Sequence, residues 1–406
     1  MPDRPSISAV IGLPPEDTVR AFEARDELRT TVRWSEMWHD DHARGFTVAK
    51  VAKLDLLATI RGSLDDVIRN GGTFEQWQAN ILPELQKAGW WGMVRDRDLT
   101  GTDDAVFVGP RRLRTIYDTN LRMSRAAGRW KRIQELKGER PFLRYTAVMD
   151  ARTRPQHRIW HGTILPVDDP WWDTHFPPCG WYCRCTVRQL SQRDLDRHGW
   201  SVTKPPEEGP PRLFYRAGVA KPEAVPAGIS PGFGYNPGKA SMRAVADKAI
   251  QSIEAMAPLD IAAARSVLDD LVASDAFLET LTEPGAGFPV MVLDDRIRGL
   301  IEAEAHVVIL SSDTYAKQLG ATDRSAGHPE LTVADYRRLP EIGAAPDLVF
   351  RSGDTRLILL KVADDRYLLA NVKVTADRRE LYLQSFRWAR ERDVQRLRNR
   401  DEEVVL

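Results

Sequence analysis

Apolar residues recur at three- and four-residue steps through most of the first 140 positions, and in short β-rich runs after residue 289. The change of period divides the chain before any motif is considered. Residues 1–20 carry proline and little periodicity and read as a loose arm. A helical pattern follows from Thr18 to Gly45. Between Phe46 and Ile68, Val48, Val51, Leu54, Leu57 and Ile60 make a one-sided stripe, continued by Val67 and Ile68 and stopped by Asn70-Gly71-Gly72. Thr73 with Gln76 forms a capping box at the start of a second helix, whose apolar side is Ile81, Leu85 and Trp90. Arg111–Leu136 predicts a third long helix with a basic polar face, most simply a solvated one.

From Tyr145 to Val187 regular periodicity stops. The stretch is rich in Pro, Trp, Asp and Gly, which predicts a compact, loop-built module rather than one element. Residues 205–240 are Pro- and Gly-rich and read as an extended linker, laid on another surface through Phe214, Tyr215, Phe233 and Tyr235. Helical patterning resumes from Ser241 to Leu281. Strand-like runs then fall at Val290–Leu293, Val307–Leu310, Leu348–Phe350, Leu357–Val362, Tyr367–Val374 and Leu381–Phe386, with helices at Thr332–Leu339 and Trp388–Asn399.

The expected architecture is multidomain. A mainly α-helical N-terminal region (1–140) leads into a loop-rich Cys/His/Trp module (141–204), the linker (205–240) and a helical connector (241–284). An α+β C-terminal domain (285–406) follows, with a mostly antiparallel sheet. A length of 406 residues suits two or three domains. The formal net charge is zero, which argues against a polyanion-binding coat over the whole chain. No run of about 18 apolar residues predicts a membrane span, and the first residues do not resemble a secretory signal. Synthesis in the cytoplasm is the expectation.

All three cysteines and three of the eight histidines fall between Tyr145 and Val187. Reduced thiols, free or metal-bound, fit this clustering better than a disulfide framework. Cys183 and Cys185 supply two soft ligands, and His157 and His175 are the candidates to complete a tetrahedral structural zinc site; His157 and His161, four apart, are an alternative pair. The other reading is a module pinned by Trp171, Trp172 and Trp181, with Asp150, Asp168 and Asp173 accepting bonds from Arg154, Arg158 and Arg184. A hydrolytic metal site is the least favoured, because the cysteine-rich end suits a closed shell.

The module's Asp150, Arg154-Pro155, His157, His161-Gly162, LPVDDPWWDTHFPPCGW and Cys183-Arg184-Cys185 resemble the signature of the Mu F-like phage head morphogenesis family. WSEMWHDDHARGFTVAK, GGTFEQWQANILPELQKAGWWG, VGPRRLRTIYDTNLRMSRAAGRW and PAGISPGFGYNPG extend the resemblance over residues 20–240. It implies a minor head protein of a phage or prophage, acting with the portal and other head proteins in procapsid assembly or DNA packaging. Its place would be the host cytoplasm during assembly and then the virion head. Between residues 285 and 400, SSDTYAKQLG, GHPELTVADYRRLPEI, LVFRSGDTRLILLKV, YLLANVKVT and LYLQSFRWAR resemble phage-borne nucleases of the barnase, EndoU and RelE-like superfamily. That implies a metal-independent endoribonuclease, or a fold that has lost catalysis and serves as an anchor. Residues 351–400 carry six more basic than acidic residues, a footprint suited to RNA. Metal-free cleavage needs proton transfer and cations for the phosphorane. His328 is the candidate for the first, Lys361, Lys373 and Arg387 for the second, and Ser385 to hold a phosphate oxygen. His306, in an apolar run, reads as core.

Overall fold

The computed structural model describes residues 16–274, 277, 281, 286–318 and 331–405. The chain divides into two units, Met1–Ala244 and Val245–Leu406. Among the described residues no helix is long and apolar enough to cross a membrane.

Four helices frame the start of the first unit: α1 (Glu16–Glu23), α2 (Leu54–Asn70), α3 (Phe74–Lys87) and α4 (Pro110–Glu135). Each boundary has a local cause. Gly71 stops α2 with φ +75°. Thr73 accepts from the Gln76 amide at 3.2 Å while the Gln76 side chain accepts from the Thr73 amide at 2.9 Å, the reciprocal cap of α3. Pro110 opens α4, where its missing N–H costs nothing. The apolar stripes meet in a core that includes Phe22, Leu57, Leu64, Trp77, Leu85, Trp90 and Leu121. At the crossing of α1 and α4, Gly128 lets the chains approach so closely that a Cβ there would lie 2.7 Å from the Thr18 amide nitrogen.

The helical expectation holds only in part. After α1 the chain is extended at Glu27–Leu28, which pairs in parallel with Gly45–Phe46. Between them stand only a 3-10 turn at Trp34–Glu36 and a short helix at Asp41–Arg44. Tertiary contacts override the helical spacing there, since Trp38 stacks on Phe214 at 5.4 Å and donates to Glu223. Phe46 to Lys53 is not helical either, although Val48 and Val51 are buried as their spacing predicts.

The module is more regular than expected. Strands β1 (Phe142–Thr146), β2 (Ile164–Pro166) and β3 (Thr186–Leu190) form an antiparallel sheet in the order β2-β1-β3. Two short helices, α5 (Pro155–Trp160) and α6 (Trp172–His175), fill the connections. Downstream, Phe214 packs on Trp38, Phe233 on Trp181 at 5.0 Å and Tyr235 on His39 at 5.6 Å. Tyr215 does not join them and is 72% exposed.

The second unit is built on a seven-stranded sheet. Its strands are β4 (Gly287–Val292), β5 (Val307–Ser311), β6 (Leu348–Ser352), β7 (Arg356–Ala363), β8 (Arg366–Val374), β9 (Leu381–Ala389) and β10 (Glu402–Val404). The spatial order is β4-β5-β9-β8-β7-β6-β10, antiparallel except for β5 with β9. Six strands match the runs read from the sequence, whereas β10 was not expected. The predicted Thr332–Leu339 helix is two short ones, Val333–Tyr336 and Leu339–Ala344, and the closing helix is Glu391–Arg398, because β9 continues through Trp388. That closing helix covers Phe350, Ile358, Leu360 and Leu369 on one face of the sheet with Val394 and Leu397. The outermost strands are a β4 containing Pro289 and a three-residue β10 carrying Glu402 and Glu403.

Candidate metal centre

Pro155 at the first helical position starts α5 and sets His157 on its inner side, 1% exposed. Cys183 and Cys185 lie in the extended segment entering β3, where side chains two apart fall on one side. The Cys183 amide donates to the Gly180 carbonyl at 3.1 Å and the Cys183 carbonyl accepts from Arg122 at 3.1 Å. Arg184, between the cysteines, points away and grips Asp150 through two bonds of 2.7 and 2.5 Å. These ties bring His157 Nδ1 to 3.3 Å from Cys185 Sγ and 3.8 Å from Cys183 Sγ. The three ligand atoms lie within 4.8 Å of one another.

The other imidazole nitrogen is also committed. His157 Nε2 stands 3.0 Å from the Gly228 carbonyl, which can only accept, so Nε2 carries the proton and the Nδ1 lone pair faces the sulfurs. Gly228 has φ +87°, and a Cβ on it would come within 2.5 Å of Gln156 and 2.9 Å of Trp160. Only glycine can present its carbonyl there. The ring itself is stacked on Trp160 at 4.7 Å.

Charge at the centre is uneven. A hydrogen bond from Cys185 pushes the Cys183 thiol down, and the same bond, with burial, pushes Cys185 up. Burial raises Cys179 and Tyr145. Arg184 holds the Asp150 carboxyl well below the usual carboxylate range.

His175 is not brought to the thiols. Its ring stacks on Trp171 at 4.4 Å, Nδ1 lies 2.8 Å from Thr174 Oγ1 and Nε2 lies 2.7 Å from Glu208. Burial pushes it down to about 4. His161 is separate too, because α5 ends at Trp160 and His161 Nδ1 accepts from the Ala147 amide at 3.1 Å. The alternative aromatic reading also has a basis: Trp160 is fully buried against Tyr145, His157, Trp171 and His175. Among its expected polar ties, only Arg184 and Arg158 reach Asp150, while Asp168 pairs with Lys137 and Asp173 with Lys239. Arg154 instead donates to the Trp181 carbonyl.

Residues 58–188 match the family described as Phage Mu protein F like protein. The match contains His157, Cys183 and Cys185. The chain is 41% identical over 192 residues to the putative capsid assembly protein F of Escherichia phage Mu, which covers 47% of this chain and 44% of that protein. It is 38% identical over 176 residues to the Mu-like prophage FluMu F protein of Haemophilus influenzae, covering 43% of this chain and 42% of that one. The chain thus spans less than half the length of these relatives. No solved structure matches it.

The C-terminal candidates are divided by the sheet. In the ladder Lys361 pairs with Leu368, while Lys373 pairs with Arg356 and Tyr382, Ser385 with Asn371 and Arg387 with Leu369. Alternation along the strands therefore sets Lys373, Ser385 and Arg387 on one face and Lys361 on the other. Lys361 is occupied there, donating to the Ala345 carbonyl at 2.7 Å and to Asp347 at 3.1 Å. On the shared face, Asn371 Oδ1 is buried without a hydrogen bond. His328 lies outside the described residues. His306 is not simply core: Nδ1 meets Glu254 at 3.0 Å and Nε2 meets Asp295 at 3.1 Å.

A feature with no signal in the sequence is a cavity of about 700 Å3 in the first unit, lined by Arg25, Arg111, Arg112 and mostly apolar side chains, with no carboxylate among the described residues. Arg25 is 8% exposed, sits over the rings of Phe22 and Phe46 at 5.5 and 5.7 Å, and has no ion-pair partner among the described residues. Burial pushes its guanidinium down to about 10.

Proposed function

We propose that this chain is a phage or prophage minor head protein that acts with the portal and other head proteins in procapsid assembly or DNA packaging. The observation that carries the reading is the 41% identity over 192 residues to a protein named for capsid assembly. The family match ends at residue 188, so the reading rests on the helical region and the module. The test is a lysogen lacking the gene. Empty or misassembled heads, and copurification of the chain with portal and procapsids in small numbers, are the expected results. Normal, DNA-filled heads from the deletion strain refute the role.

For the C-terminal unit the reading is an accessory metal-independent RNase. Its support is the grouping of Lys373, Ser385 and Arg387 on one sheet face beside Arg356, where cations and a hydroxyl suit a phosphodiester. Lys361 drops out of the proposed set because of its face and its partners. Full-length protein incubated with RNA, with and without EDTA, tests it. Loss of a general acid or base typically costs about 100-fold to 10,000-fold, so His328→Ala abolishes cleavage on this reading. Absence of cleavage by the wild-type chain leaves the inactive anchor in its place.

A further inference from the structure

We infer that His157, Cys183 and Cys185 form a mononuclear zinc site of three protein ligands, one imidazole nitrogen and two thiolates, whose fourth position is taken by a solvent molecule. With Zn–S of about 2.3 Å and Zn–N of about 2.0 Å, a tetrahedral centre holds its nitrogen and sulfur ligands about 3.5 Å apart. The separations found here, 3.3 and 3.8 Å, bracket that value. The two nitrogen–sulfur separations therefore reach the geometry of a bound ion with shifts of a few tenths of an ångström.

The supporting contacts have the character of a ligating histidine. Such residues give their second N–H to a carbonyl or carboxylate, which fixes the tautomer and aims the lone pair. Gly228 does this for His157, in a backbone conformation and a steric cradle that admit no side chain. Two thiolates and an imidazole are borderline-soft donors suited to zinc. With both sulfurs as thiolates the site carries no net charge, since they balance the ion. That neutrality matters, because Arg152, Arg154 and Arg184 line the adjoining space.

The fourth position follows from what is not within reach. Among the described residues no other His, Cys, Asp or Glu joins the group. His175 is held by Trp171, Thr174 and Glu208, and Cys179 donates to the His175 carbonyl at 3.3 Å. Beside the three ligands is a cavity of about 20 Å3 edged by Thr153 and Tyr182 as well as the arginines. One water needs about 10–15 Å3. The ion's work here is to tie α5 to the segment entering β3, 26 residues on, and through His157 to the turn at Gly228, 71 residues on.

Full-length protein from zinc-supplemented cells, dialysed without chelator, tests the site by metal analysis. The expected result is one zinc per chain. His157→Ala, Cys183→Ser and Cys185→Ser each lower occupancy at fixed free zinc by about tenfold or more, whereas His175→Ala and Cys179→Ser keep it. If the ligand variants do not fold, cobalt titration of the wild-type chain carries the test. It gives thiolate-to-cobalt charge-transfer bands with tetrahedral d–d bands, bleached by one equivalent of zinc. Metal-free protein without cobalt bands overturns the inference, and so does loss of zinc in His175→Ala or Cys179→Ser with retention in His157→Ala. Metal content is read on purified protein, so the outcome stands apart from the head-assembly reading.

Discussion

In the first unit the His157, Cys183 and Cys185 cluster and the arginine between its cysteines are fixed by partners far off in sequence: His157 by Gly228, Cys183 by Arg122, Arg184 by Asp150. In the second unit Lys373, Ser385 and Arg387 are placed by their neighbours on a ladder, and their shared face follows from alternation along β8 and from the pairing register of β9, which shifts by one residue between them. A site of the first kind depends on particular ring and hydrogen-bond geometry, with few substitutes. A sheet of the second kind depends on pattern, and shape changes inside the pattern are better tolerated.

The sharpest way to break this contrast is at Trp160. Trp160→Ala removes the ring against which Tyr145, His157, Trp171 and His175 pack, and the expected loss is about 3–5 kcal/mol in chemical denaturation. A loss under about 1 kcal/mol places the module among the tolerant structures. Acid comes next. His42 and His175 are pushed down from 6.5 to about 4, chiefly by burial. The unfolded chain takes those protons near pH 6.5 and the folded unit resists them until about 4, so the unfolded state binds more protons in that window. Stability of the first unit therefore falls as pH drops from 6.5 towards 4, by an amount on the order of a few kcal/mol. Tryptophan fluorescence reads this unit, since every tryptophan except Trp388 lies in it; unchanged stability across the window contradicts the sign.

Charge burial separates the units further. Arg25→Met removes a bare buried cation, and the expected gain is about 1 kcal/mol or more, read as a raised denaturation midpoint. A marked loss means that the cation–ring contacts outweigh desolvation. In the sheet, Leu359→Met at a fully buried central position costs less than about 1.5 kcal/mol, and a cost like that of Trp160→Ala erases the contrast. The smallest expected effect is at a helix end. Thr73→Ala loses one half of the reciprocal cap and costs about 1 kcal/mol, which the same denaturation series resolves.

These differences also decide what was legible in the sequence. Short β-rich runs announced six strands of the large sheet, and Thr73-Gln76 and Asn70-Gly71-Gly72 marked helix ends, because each is a local rule with a local cause. The thiol pair was legible for the same reason. Which histidine joins it was not, since Gly228 selects His157 while Trp171 and Glu208 occupy His175, and spacing carries neither fact. The face of Lys361 could have been read. Asp364 and Asp365 make a two-residue turn between β7 and β8, which pairs odd positions with even ones, so odd-numbered Lys361 and Lys373 must point to opposite sides. The extended path from Glu27 to Phe46 was hidden because its contacts with Phe214 and Glu223 lie far along the chain.

The two outermost strands of the sheet have a consequence for crowding. An open strand edge is a template on which another chain can add its own strand, and identical chains at high local concentration are the ones most apt to do so. Here one edge, β4, carries Pro289, which has no N–H to offer, and the other, β10, is three residues long with Glu402 and Glu403 held to Arg351 at 3.6 Å and Arg398 at 2.9 Å. Neither edge invites a copy to zip on, so the sheet can be packed densely among its own kind without growing into a fibre.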